Sequence, residues 1–181
     1  MKLVILDRDG VINEDSDAYI KSPAEWRPIA GSPEAIARLN ASGYRVVVAS
    51  NQSGVGRGLF DQATLSAIHD RMKCQLAAAG AHLDGIFFCP HTPAAGCACR
   101  KPAPGLLHAI ARHYDITLTH VPMIGDSASD ILAARAAGAR PMLVRTGKGE
   151  RMAPAAFAGV PRFPDLAAAV DHVLGLHGAR L

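Results

Sequence analysis

Aromatic side chains are scarce in this sequence. They make up 5% of the residues, with a single Trp, so a core must be built from Ala, Val, Leu and Ile, which the 49% hydrophobic content supplies. Net charge is small as well. At +3, with its lysines dispersed and no long block of like charges, the chain does not present the basic groove that nucleic acid requires, although a mild positive balance suits small anionic substrates. No apolar stretch approaches the roughly 20 residues of a membrane span. Asp7 interrupts the N-terminal apolar run far too early for a secretory signal. The expectation is a cytoplasmic protein with no membrane or nucleic-acid partner, acting as a monomer on a small molecule. In that compartment the four cysteines read as metal ligands or free thiols rather than disulfides. Repeats and low-complexity segments are missing too, and 181 residues suit one domain, 1–181, since domains commonly run ~100–200 residues.

What is present alternates. Leu3-Val4-Ile5-Leu6 is a short apolar run of the kind buried on both faces of a parallel sheet, and it stops in acid at Asp7-Arg8-Asp9-Gly10. Side chains alternate along a strand, so Asp7 and Asp9 leave its end toward one side and Arg8 points elsewhere. Two carboxylates so placed form either a cation site or a nucleophile with an acid/base partner; alone, they are equally a polar turn. Val11 to Ser32, with Pro23, Pro28 and Gly31, reads as an ordered flap. Ser32-Pro33 starts a helix with Ser32 as N-cap and Pro33 at its first position, and Gly43 ends it. Tyr44 to Ala49 is a second strand, followed by Ser50-Asn51-Gln52-Ser53 and the glycines of Gly54-Val55-Gly56-Arg57-Gly58, whose amides face an anion or simply make a flexible turn. Asp61 caps a helix with the apolar stripe Leu65, Ile68, Met72 and Leu76, on which Cys74 is expected at the core or its boundary.

Asp84 to Phe88 is a third strand, a helix runs from Pro104 with Leu106, Leu107 and Ile110 inward, and Val121 to Ile124 is a fourth strand ending at Gly125-Asp126. Asp126 sits where an N-cap would, with Asp130 four residues on. Arg140 to Val144 is a fifth strand, and an Ala-rich helix and a final amphipathic helix from Pro164-Asp165 close the chain, whose last residues are expected to fray. Strands alternating with helices imply right-handed crossovers and an α/β, Rossmann-like doubly wound parallel sheet. Ligands bind such sheets beyond the carboxyl ends of the strands. Strands one, two and four end in Asp7/Asp9, Ser50/Asn51 and Asp126/Asp130, so the topology gathers these groups, with Lys101 arriving from the loop before a helix. Carboxylates attract a hard cation such as Mg²⁺, and a lysine with amide donors suits a transferring phosphoryl group.

Cys89-x-His91-x5-Cys97-x-Cys99 is a second constellation. Three thiolates and an imidazole fill a tetrahedral shell with no open position, so Zn²⁺ there would be structural, fixing the loop that delivers Arg100 and Lys101.

Together these motifs resemble the haloacid dehalogenase (HAD) superfamily of phosphatases: residues 7–10 match its first motif, Ser50 its second, Lys101 its third and Gly125-Asp126 to Asp130 its fourth. More narrowly, Asp7 to Asn13, Asn51 to Gly58 and Cys89-Pro90-His91 to Pro102 resemble its heptose-bisphosphate and histidinol-phosphate phosphatase branch. The resemblance covers residues 3 to about 145 and implies a HAD fold with no large cap domain. It implies that Asp7 attacks phosphorus and that Asp9 protonates the leaving alkoxide and later activates water. Mg²⁺ is then held by Asp7, the Asp9 carbonyl and Asp126; Ser50 and Lys101 hold phosphoryl oxygens, and Asp130 orients Lys101 or a metal-bound water. Asp15, Tyr19, Asn51, Gln52, Ser53 and Arg100 are the expected substrate contacts, Arg100 for a second phosphate. The implied substrate is the C7 phosphate of D-glycero-D-manno-heptose 1,7-bisphosphate, on the route to the heptose of bacterial lipopolysaccharide. Histidinol phosphate and a DNA 3′-phosphate are the alternatives. A receiver domain that merely accepts phosphate would share the acidic pocket but needs no leaving-group acid, which Asp9 supplies.

Overall fold

Leu3 and Ile5 of strand β1 (Lys2–Leu6) bury on one face of the sheet, Val4 and Leu6 on the other. That two-residue period with apolar groups on both sides forces helices onto both faces. The computed structural model describes residues 1–152 and 157–176. Its further strands are β2 (Tyr44–Asn51), β3 (Gly85–Cys89), β4 (Pro122–Gly125), β5 (Arg140–Val144) and β6 (Arg162–Phe163). They form one parallel six-stranded sheet in the order β3-β2-β1-β4-β5-β6. The winding runs outward from β1 to β3, then returns and continues the other way from β4, so the switch point lies between β1 and β4.

Helices α1 (Ser32–Ala41), α3 (Gln62–Ala78) and α6 (Leu166–Val173) cover one face, where Ile36, Leu39, Ile68, Met72, Leu76 and Val170 meet Val4, Val46, Val48 and Ile124. On the opposite face α4 (Gly105–Tyr114) and α5 (Ala128–Ala136) bring Leu107, Ile110, Ala133 and Ala134 against Leu3, Ile5, Val47 and Met123. Each fully buried Leu, Ile or Val contributes about 1.5–3 kcal/mol, so these two layers hold the strand ends in place. The flap is anchored by Trp26, Val11, Ile12 and Ile29, all buried, and carries no helix.

Several local expectations are corrected. Ser32 is not the N-cap of α1: Gly31 takes that position in the left-handed region, and the Ser32 hydroxyl donates instead to the Val11 carbonyl at 2.8 Å, tying helix to flap. Asp126 does not cap α5; Ser127 does, and its hydroxyl and amide both donate to Asp130 Oδ2, at 2.6 and 3.1 Å. Cys74 is exposed on α3 rather than at the core. Asp61 does cap α3, accepting from the Thr64 amide. The glycines after Ser53 form the short helix α2 (Ser53–Gly56) and permit close packing, since a Cβ on Gly54 would strike Phe60 and one on Gly56 would strike the Pro90 carbonyl. The expected flexible turn is therefore a packed helical turn. Strand β6 was not anticipated, and the core of the expected Ala-rich helix, with the chain end expected to fray, lies outside the described residues.

Candidate active site

A cleft of about 320 Å³ opens at the carboxyl ends of β1, β2 and β4, over the switch point. Asp7, Asp9, Ser50, Lys101 and Asp126 line it, and so do Asp15, Tyr19, Asn51, Gln52, Ser53 and Arg100. Every expected substrate contact therefore borders one space.

Lys101 is its centre. The ammonium is 2% exposed and sits 3.0 Å from Asp7 Oδ1, 2.5 Å from Asp130 Oδ1 and 2.7 Å from the Ala49 carbonyl. Burial alone would discharge it, but Asp130 and Asp7 outweigh burial and hold the amine above its ordinary range, so it stays charged. Asn51 fixes the backbone that carries it: the Asn51 amide donates to the Lys101 carbonyl and accepts from the Lys101 amide, both at 3.0 Å. β2 runs two residues further than its apolar run, so Ser50 and Asn51 remain in the ladder opposite Phe88 and Cys89.

Asp7 is pushed well up by burial and by the neighbouring Asp130, and Asp126 is pushed up to about 7 by burial and Asp130. Asp7, Asp126 and Asp130 each bring a carboxylate oxygen into one group within 4.8 Å. Buried acids that repel one another, all oxygen donors, are the chemistry a hard divalent cation relieves, so the residues fit Mg²⁺. Asp130 is engaged at both oxygens, by Lys101 and Ser127, whereas among the described residues the bonds of Asp7 fall on Oδ1 and that of Asp126 on Oδ2, so each of these two keeps one oxygen for a cation.

Asp9 behaves differently. Burial pushes its carboxyl up, but the Arg8 guanidinium and hydrogen bonds from Asn13 and Gln52 hold it below the usual carboxylate range. Arg8 does not point elsewhere: it folds back on Asp9, with Nη2 at 2.9 Å from Oδ1, and is itself buried. The charge pairing overrides simple strand alternation. Gln52 donates to both Asp9 Oδ2 and Ser50 Oγ, at 2.9 and 2.8 Å, so besides lining the cleft it links the two groups.

At the cleft edge the four soft donors meet. Cys89, Cys97 and Cys99 Sγ lie 3.2 to 3.6 Å apart, and His91 Nδ1 lies 3.5 Å from Cys89 and 3.3 Å from Cys99. Tetrahedral bonds of ~2.3 Å imply donor separations of ~3.7 Å, close to these values and far from a disulfide. Burial pushes the Cys89 thiol up to about 12, whereas Cys97, despite desolvation, is held down at about 6 by hydrogen bonds from Cys99 and the Arg100 amide. The donor set fits Zn²⁺.

Lys148 was missed. It lines the cleft, its amide donates to Asp126 Oδ2 at 2.8 Å, and its ammonium pairs with Asp15 Oδ2 at 2.8 Å. It follows β5, and inspecting the polar residues after that strand end, as for the others, would have found it. The loop fits only with glycine: a Cβ on Gly147, at φ +59, would lie 2.2 Å from Asp126 Oδ2, and one on Gly10, at φ +77, 2.1 Å from the same atom.

Comparison with known proteins agrees with this geometry. A family model described as "HAD-hyrolase-like" matches residues 98–169. The D-glycero-beta-D-manno-heptose-1,7-bisphosphate 7-phosphatase of Bordetella bronchiseptica is 54% identical over 178 residues, 96% of this chain and 98% of that protein. The Pseudomonas putida enzyme of the same name is 55% identical over 93% of this chain and 97% of its own. The crystal structure of the B. bronchiseptica D,D-heptose 1,7-bisphosphate phosphatase, complexed with magnesium and phosphate, superposes with a TM-score of 0.93 at 53% identity, covering 97% of this chain and 99% of that one. The chain therefore belongs to the haloacid dehalogenase superfamily, within its family of heptose-1,7-bisphosphate phosphatases.

Proposed function

We propose that this protein is the phosphatase that removes the C7 phosphate of D-glycero-D-manno-heptose 1,7-bisphosphate through an aspartyl-phosphate on Asp7. The observation that carries the reading is the buried Lys101 ammonium held between Asp7 and Asp130 at the switch point, in a chain over half identical to enzymes of that name. The β anomer in the relatives' names is the anomer we assign.

Asp7, the Asp9 carbonyl and Asp126 would hold Mg²⁺, which when bound supplies positive charge to the phosphoryl oxygens and relieves the repulsion among the acids. Lys101 and the Ser50 hydroxyl take the remaining phosphoryl oxygens. An Asp7 oxygen attacks phosphorus while the bond to the C7 oxygen breaks, and Asp9 gives its proton to the leaving alkoxide. Arg8, Asn13 and Gln52 keep Asp9 a carboxylate at rest. A phosphate dianion docking beside it raises its proton affinity, so Asp9 takes up one proton from solvent as substrate binds and holds it until the alkoxide leaves. Asp9 then takes a proton from water, the water oxygen attacks phosphorus, and inorganic phosphate leaves with Asp7 restored. Asp130, through Lys101, positions the cation and does not touch the reacting atoms.

The Cys89, His91, Cys97 and Cys99 site would hold one structural Zn²⁺. Among the described residues no helix is long and apolar enough to cross a membrane. We read residues 1–181 as a single catalytic domain, a cytoplasmic monomer serving lipopolysaccharide synthesis.

Phosphate release from heptose 1,7-bisphosphate, histidinol phosphate and a 3′-phosphorylated oligonucleotide tests the assignment. The heptose bisphosphate is expected to give the highest kcat/KM; a value for either rival ~10-fold above it, about 1.4 kcal/mol in transition-state binding, overturns the substrate.

A further inference from the structure

Four cations border the cleft, and two of them are already committed. Arg8 is forked onto Asp9, and Lys101 is enclosed by Asp7, Asp130 and the Ala49 carbonyl. Arg100 and Lys148 remain. Arg100 donates to the His91 carbonyl at 3.3 Å and, among the described residues, pairs with no carboxylate. Lys148 reaches across the cleft mouth to Asp15 of the flap at 2.8 Å, with its side chain 54% exposed. Its backbone is not free to drift: the amide is bonded to Asp126 Oδ2, and Gly147 is wedged between Asp126 and Gly10. A rigid turn therefore projects a flexible, charged arm beside the metal ligands.

We infer that Lys148 is a specificity-determining residue that takes the substrate's non-reacting phosphate, and that Asp15 is the internal anion that phosphate displaces. The inference rests on the heptose-bisphosphate reading. The Lys148 side chain is 54% exposed and that of Asp15 16%, so water partly screens the pair, and a phosphate dianion, with twice the charge and three acceptor oxygens, competes with the single carboxylate for the ammonium. The Asp15 carboxylate, released from Lys148, faces the sugar hydroxyls as an acceptor. Arg100, which lines the same cleft, joins Lys148 on the second phosphate, while Lys101 stays with the reacting one.

The test compares heptose 1,7-bisphosphate with the 7-monophosphate, which lacks only the second phosphate, in the wild type, Lys148→Met and Lys148→Arg. Methionine keeps the backbone amide that serves Asp126 and most of the side-chain volume. The wild type is expected to prefer the bisphosphate in kcat/KM, Lys148→Met to lose roughly tenfold of that preference through KM, and Lys148→Arg to recover most of it. A preference retained in Lys148→Met overturns the inference and leaves the heptose assignment intact. A wild type that handles both heptose phosphates alike also overturns it; only if both are far poorer than histidinol phosphate does the substrate assignment fall with it.

Discussion

The floor of the cleft and the Cys/His loop at its edge are opposite solutions to holding charge in a fold. The floor gathers Asp7, Lys101, Asp126 and Asp130 from segments far apart in sequence, all nearly removed from water, with hard oxygen donors that repel one another. The loop gathers Cys89, His91, Cys97 and Cys99 from one short stretch, partly open to water, with soft donors at tetrahedral spacing. Packing of both sheet faces sustains the floor, which lowers stability in return for chemistry. Cys89, Cys97 and Cys99 lean on the core under α4, but the intervening Pro93 to Ala95 bury nothing, and metal would supply the order of that turn.

That contrast breaks first at Asp7. Asp7→Asn is expected to lower kcat by ~10⁴-fold or more, in line with loss of a nucleophile, while the melting temperature and zinc content stay near wild type. Normal turnover by the variant, in a steady-state assay, removes Asp7 from the chemistry.

Cys97→Ala addresses the other region and is expected to act on both stability and activity. Loss of the zinc, read by elemental analysis, should accompany a fall in melting temperature of roughly 5–10 °C and an activity loss of ~10-fold or more, because Arg100 and Lys101 directly follow the ligands. Metal-free protein with the loop still ordered contradicts the closed-site argument.

The two regions were not equally legible. The loop could be read from spacing alone, because its donors are local. The floor needed the rule that polar strand ends converge, and that rule placed Asp7, Ser50 and Asp126 together without any contact being known. Where the reading failed, a tertiary partner had outbid a local preference. Ser32 has the right type for a cap, but the Val11 carbonyl recruits its hydroxyl. Asp126 is displaced from capping by the Ser127 and Asp130 pair, and serves the cleft instead. Arg8 follows the Asp9 charge rather than the strand period. Lys148 follows Gly147, whose reason is the close approach of Asp126, and only the rule of polar strand ends applied to β5 reaches it.

A third, smaller effect separates the floor by pH. Asp126 titrates at about 7 in the fold against 3.8 as its reference, so between those values the native state holds a proton the unfolded chain lacks. That stabilisation, about 4 kcal/mol at most, is complete below the lower value and lost as pH rises through 7. His69 runs the other way: burial holds it down at about 4, so its contribution is present above 6.5 and lost as pH falls toward 4. The difference between thermal melts with and without Mg²⁺ cancels His69. That difference, the stabilisation by Mg²⁺, should grow from pH 4 to 7 as the acids give up their protons; parallel curves would mean the acids are not a cation site. The smallest effect concerns Arg100. Arg100→Ala should cost the bisphosphate more than p-nitrophenyl phosphate, by ~10-fold in kcat/KM, and equal losses would remove it from recognition of the second phosphate.

The central claim, that the floor forms a covalent bond to phosphorus at one carboxylate, is tested most directly by acid-quenching the enzyme during turnover, reducing with borohydride and sequencing the peptides by mass spectrometry. The account predicts modification at Asp7 alone, formed within one turnover and missing in Asp7→Asn. Full turnover with no modified aspartate, or with the modification at Asp9, would contradict it.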